Sequence, residues 1–236
     1  MNNYVDAIHE MNVVLAGSVP ATPSVLEAGC GRRSVVDLGD TAIVTGIDIA
    51  PEEVQHNKRL QEVRIGDIQN CEIEQDRFDV AVCWNVLEHL DAPGAALANL
   101  YSALRPGGVL VLGMPNRQSL KARLVVLTPH RLHSFVWHRL YPNAPLDEGP
   151  FSVVHHPEMD LDALRRFAHE RNMTIVYRAL YESEMQQKLR RRLHLGERVW
   201  GSLGSLLGSL SRGQIDALHS DAILVLRKAS ASAPNV

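Results

Sequence analysis

Two carboxylates and two glycines stand where a nucleotide could be held. The run Val25-Leu26-Glu27-Ala28-Gly29-Cys30-Gly31 is followed by Gly46-Ile47-Asp48-Ile49. Glycines let the backbone turn tightly and pass close under a ligand. Asp48, at the end of the second apolar run, is placed to accept hydrogen bonds from ribose hydroxyls. The pattern reads as a short buried strand, a glycine turn, a helix, then a second strand ending in an acid. That is the first half of a nucleotide-binding α/β unit. On its own, such a turn also fits a dehydrogenase or an ordinary loop.

The elements that must position these residues can be read from the rhythm of the chain. Tyr4–Ala16 has helical spacing of apolar residues, including Val5, Ile8 and Val13. Val25–Ala28 and Ile43–Asp48 are the first two strands, and Pro51–Leu60 is a helix opened by proline. Glu62–Ile65, Phe78–Cys83 and Val109–Gly113 continue the strands, with a helix over Pro93–Leu104 and a turn at Arg105-Pro106-Gly107-Gly108. Met173–Leu180 and Ala222–Lys228 supply the last two strands, after a helix over Asp160–Arg171. This alternation predicts an α/β fold, a parallel sheet with helices on both faces. The 236 residues suffice for one such domain, expected over 1–228. Insertions are expected over about 116–157 and about 182–215, with a disordered tail at 229–236.

Composition narrows the function classes. Hydrophobic content of 45% and charged content of 22% are those of a globular protein. No signal peptide and no long apolar run are visible, so a cytoplasmic location is expected. Cys30, Cys71 and Cys83 lack metal-ligand spacing and read as reduced thiols. A net charge of −3 argues against a general nucleic-acid binder. The stretch Ala92–Leu146 carries no acid, however, which keeps an RNA substrate as an alternative.

Five motifs then occur in order: Leu26-Glu27-Ala28-Gly29-Cys30-Gly31, Gly46-Ile47-Asp48, Gly66-Asp67-Ile68, Phe78-Asp79-Val80 with Leu87-Glu88-His89-Leu90, and Leu104-Arg105-Pro106-Gly107-Gly108. Together they resemble the class I S-adenosylmethionine-dependent methyltransferases, in particular the group around the ubiquinone-biosynthesis enzymes. The resemblance covers roughly residues 22–115. It implies a Rossmann-like, doubly wound sheet of seven strands, mostly parallel with the last antiparallel, and a lid insertion after the fifth. It also implies S-adenosylmethionine as cofactor. Glu27 would lie near the methionine end, with Gly29 and Gly31 beneath it. Asp48 would take the ribose, Asp67 the adenine amino group, and Ile49 and Ile68 the faces of the ring. Trp84 and Asn85 would approach the sulfonium. The chain departs from the family where a third glycine is common: it has Arg33 there.

Methyl transfer to a hydroxyl needs a base or a metal to take the proton. His155 and His156 are candidates for the base, because histidine titrates near working pH. Glu88-His89 has three readings: a cap for the next helix, direct base work, or a Mg²⁺ site with His156. Some related O-methyltransferases hold a divalent ion with Glu-x-x-Glu-His, but Asn85 replaces the first acid here. The insertion carries Trp137, Tyr141, arginines and His130, His133 and His138, a mix that suits a hydroxylated, sugar-like acceptor. Lys188–Arg192 precedes Trp200, Leu203, Leu207 and Leu210, an apolar stripe that could meet its own domain, a second copy in a homodimer, or a membrane surface. A cofactor-binding protein that regulates or scaffolds a partner is the competing class.

Overall fold

The computed structural model describes residues 3–127, Arg139 and 160–230. Seven strands form one sheet: β1 (Ser24–Ala28), β2 (Ile43–Asp48), β3 (Glu62–Ile65), β4 (Phe78–Trp84), β5 (Leu104–Pro115), β6 (Met173–Tyr181) and β7 (Asp221–Lys228). Their spatial order is β3-β2-β1-β4-β5-β7-β6, with β7 antiparallel. β1 pairs in parallel with both β2 and β4. Strands flanked on both sides and covered on both faces bury nearly every residue. Leu26, Ala28, Val80, Ala81, Val82 and Cys83 are accordingly buried, as are Val109 to Leu112 of β5. The chain winds outward from β1 to β3, then returns to lay β4 on the other side of β1. At such a reversal a crevice opens outside the carboxyl ends of the strands.

The helices are α1 (Tyr4–Ala16), α2 (Pro51–Val54), α3 (Pro93–Ala103), α4 (Leu120–Leu127), α5 (Leu161–Glu170), α6 (Glu184–Arg192) and α7 (Glu197–Leu210). In α1 the buried stripe is Ala7, Met11 and Leu15, four residues apart, whereas Val5 and Val13 face outward. The predicted helix over Pro51–Leu60 stops at Val54. Asn57 ends it: its Nδ2 donates to Cys30 O (3.0 Å) and its Oδ1 accepts from Arg59 N (3.1 Å), a local bond that competes with helix. The helix expected between β1 and β2 is absent, and residues 32–42 form a loop. Ser34, Val35, Val36, Asp37 and Gly39 are all poor helix formers. Side chains hold the loop instead. Arg32 grips Glu53 through two bonds (2.5 and 3.0 Å), and Arg59 donates to Gly39 O (3.1 Å).

The Arg105–Gly108 segment, predicted as a turn, lies inside β5 as an irregularity where the register with β4 shifts. Gly107 has φ +83°. A Cβ on Gly108 would sit 3.0 Å from Arg105 O and 3.1 Å from Asp79 O, so a side chain there would press on both carbonyls. Asp79 ties this corner to β1 by accepting from Ser24 N (2.9 Å) and Arg105 Nη1 (3.1 Å).

The described chain divides into two compact units. The larger draws on residues within 8–114, 156–178 and 223–236, the smaller on residues within 1–7, 115–155 and 179–222. In the smaller unit, a buried pair joins Arg190 to both Glu182 oxygens (2.9 and 3.1 Å). Arg190 of the basic run therefore points inward. α7 presents Val199, Leu203, Leu206 and Leu210 to solvent, sharing Leu203 and Leu210 with the expected stripe. Residues 128–159, apart from Arg139, and the tail beyond Ser230 lie outside the described residues, which removes most of the expected lid from view. No helix among the described residues is long and apolar enough to cross a membrane.

Trp84 packs its ring on the backbone of Gly113, where an added Cβ would fall 2.3 Å from Cδ2. Gly113→Ala should therefore cost roughly 1–3 kcal/mol of stability through overpacking. Thermal denaturation checks this, and an unchanged melting temperature would contradict the packing described.

Candidate functional site

A cleft of about 100 Å³ lies at the carboxyl ends of β1 and β4, in the larger unit, where the strand order reverses. Its walls include Glu27, Gly29, Gly31, Arg33, Val82 and Trp84. The turn that builds it needs its glycines. Gly29 has φ +66°, and a Cβ there would lie 2.1 Å from Val86 Cγ2. Gly31 has φ +42°, and a Cβ there would meet nothing within 4 Å. The first glycine lets the chain pass under Val86; the second leaves open space above the backbone.

The turn is pinned to β2. Gly29 N donates to Ile47 O (2.8 Å). Gly31 N donates to Asp48 Oδ2 (2.8 Å), and Ala50 N donates to Asp48 Oδ1 (2.9 Å). Asp48 is thus held by one backbone bond on each oxygen. A carboxylate has about four acceptor positions, so room remains for hydroxyls. Ile49, next to it, is 74% exposed, as a residue would be if a flat ligand were to cover it.

Glu27 is 4% exposed. Burial pushes its carboxyl above the usual range, against the Ser34 hydroxyl, which donates to Oε2 (2.6 Å), and the field of Arg59. Among the described residues no donor reaches Oε1. A buried acid that lines a cleft with one oxygen left without a donor is suited to a cationic group. Cys30, behind it, is kept protonated: burial, then the charges of Asp48 and Glu27, push its thiol up to about 12.

The other predicted residues fall as follows. Asp67 follows β3 and accepts from Gln69 N (2.9 Å) and from Gln69 Nε2 (3.1 and 3.0 Å). Gln69 Oε1 accepts from Ala92 N (2.6 Å), just before α3. Ile68 is buried, and its carbonyl accepts from Asn99 Nδ2 (2.8 Å). Asn85 turns the chain at φ +53°, its N–H bonded to Gly113 O (2.9 Å). Glu88 is buried in the short 3₁₀ turn Leu87–His89, while His89 is exposed. The N-cap of α3 is Ala92. Among the described residues, no three His, Cys, Asp or Glu side chains converge to hold a metal. His155 and His156, and with His156 the third proposed ligand, lie outside the described residues, as do His130, His133, His138, Trp137 and Tyr141. Sequence reasoning missed Ser34 and the placement of Arg33 in the cleft wall. Only the fold-back of the non-helical loop brings them there.

Because Glu27 titrates above its unfolded range, its protonated form favours the fold. That contribution is complete below the usual carboxylate pKa and is lost as pH rises through the raised value. Glu27→Gln should therefore melt no lower than the parent near neutral pH and show a flatter dependence as pH rises out of the usual carboxylate range. Melting curves across that window check the sign, and a steep loss in the variant at neutral pH would refute it.

A family model described as a methyltransferase domain matches residues 5–178. Among curated relatives, a ubiquinone biosynthesis O-methyltransferase of Xanthomonas axonopodis pv. citri is 35% identical over 130 residues, covering 50% of this chain and 53% of the relative. An uncharacterized 37.1 kDa protein in transposon TN4556 of Streptomyces fradiae is 36% identical over 130 residues, covering 49% of this chain and 37% of the relative. The matches thus span about half or less of these relatives' length. A SAM-dependent methyltransferase structure from Methanosarcina mazei superposes with a TM-score of 0.53 at 14% identity, covering 92% of this chain and 98% of that one; it shows the shared fold. With the family model spanning most of the chain and the glycine turn, Asp48 and the strand order in place, the chain belongs to the class I S-adenosylmethionine-dependent methyltransferases.

Proposed function

We propose that the chain transfers a methyl group from S-adenosylmethionine to a hydroxyl of a small molecule, a sugar, glycoside or other hydroxylated metabolite. One observation carries the reading: the buried Glu27 carboxylate and the Gly31–Asp48 bond stand together at the reversal of strand order, beside open space above Gly31. The residues fit the cofactor. Glu27 would hold its ammonium, Asp48 its ribose hydroxyls, and Ile49 would face its base. When bound, the cofactor supplies a methyl group already activated as a sulfonium. The chain must then align the acceptor, exclude water and remove a proton. Trp84, whose ring is fixed on Gly113, would bound the cleft beside the acceptor.

Transfer to oxygen draws support from the relatives named as ubiquinone biosynthesis O-methyltransferases. His155 or His156 is proposed as the base. Among the described residues no three candidate ligands converge on a metal position, so no step is routed through an ion.

Incubation of the protein with methyl-labelled donor and a panel of sugars, glycosides and phenols should yield S-adenosylhomocysteine and a labelled ether. Replacing the base among His155→Ala and His156→Ala should lower kcat by about 10²–10⁴-fold. Labelled product on nitrogen or carbon alone would reject the hydroxyl acceptor. Absence of donor binding by a folded sample would reject the whole reading.

A further inference from the structure

Arg33 stands where the family resemblance implies a third glycine, and it helps line the same cleft as Glu27. It is exposed, and among the described residues it has no ion pair and no side-chain hydrogen bond. Its neighbour differs: Arg32 is committed to Glu53 through two bonds. Glu27 and Arg33 line one cleft but are not joined to one another, since Ser34 is the side-chain partner of Glu27. A cleft wall that carries a buried carboxylate and an unpaired guanidinium is complementary to a zwitterion. An α-amino acid is such a ligand, with its ammonium and carboxylate on one carbon.

We propose that Arg33 is the carboxylate-recognition residue of the donor site. It would bind the α-carboxylate of the methionine moiety while Glu27 takes the α-ammonium. The proposal rests on the cofactor reading above. A planar guanidinium meets a carboxylate with two parallel hydrogen bonds, which a lysine ammonium does not reproduce. The loop geometry supplies the reason that an arginine is accepted here. The expected helix is missing after Gly31, so residue 33 does not have to pack closely against a strand, and a long side chain can reach the cleft.

The test compares two donors that differ only in the carboxylate: S-adenosylmethionine and its decarboxylated form. Titration calorimetry on the full chain, with 5′-methylthioadenosine as the ligand lacking both charged groups, gives the dissociation constants. The parent protein should prefer S-adenosylmethionine over the decarboxylated donor by about 10- to 100-fold, the range of a charge-assisted pair. Arg33→Met should erase that preference and leave affinity for the decarboxylated donor unchanged; Arg33→Lys should restore part of it. Equal weakening of both donors by Arg33→Met, or no effect on either, overturns the assignment while leaving the cofactor reading intact. An anionic group on the acceptor would then be the remaining use of Arg33. If none of the three ligands binds the parent, both readings fall together. Matching melting temperatures of the variants exclude a folding defect.

Discussion

The Gly31 N–H, donating to the Asp48 carboxylate at 2.8 Å, extends the backbone bonds from Gly29 and Cys30 to Ile47 O and holds the candidate site in shape. It joins the turn after β1 to the last residue of β2. Parallel pairing aligns the two strands up to Ala28 opposite Ile47, but the ladder ends there. Beyond it the turn has no partner strand, and an unsupported glycine segment could sample many conformations. The side chain of Asp48 continues the connection for one more step, and its second oxygen fixes Ala50 at the start of α2. The strand that carries Asp48 therefore also positions the loop that faces it.

Burial of Glu27 sets a cost against this order. Its carboxyl is removed from water with the Ser34 hydroxyl as its one close side-chain donor. Desolvating a charge without full compensation is unfavourable. A ligand cation that reached Oε1 would relieve that cost, so affinity and stability pull on the same side chain in opposite directions. Function is commonly placed where a fold tolerates such local loss. The non-helical loop over residues 32–42 belongs to the same account. It returns Ser34 to Glu27 and leaves Arg33 in the cleft wall, which a tightly wound helix would arrange otherwise.

Much of the framework is legible in the sequence, because buried parallel strands are nearly continuous apolar runs. β1, β2 and β4 stand out for that reason, and Asp48 stands out because it ends one of them. Other features escape for physical reasons. Helix signals after Gly31 and beyond Val54 are weak, and side-chain bonds from Asn57 and Arg32 decide the outcome. The Arg105–Gly108 segment carries the residues of a turn, yet Asp79 and Ser24 hold it within β5. Glu88 and His89 are adjacent in sequence, and a 3₁₀ turn sends them to different environments. Pairing between residues distant in the chain leaves no period to read.

Cys30 sits between the two acids of the cleft, and its thiol is held up to about 12 by burial and by their negative charge. Sulfur nucleophiles react as thiolates, and at neutral pH almost none is present at such a site. Burial, reinforced by the same carboxylates proposed to grip an alkylating donor, thus keeps a thiol that lines the cleft in its unreactive form.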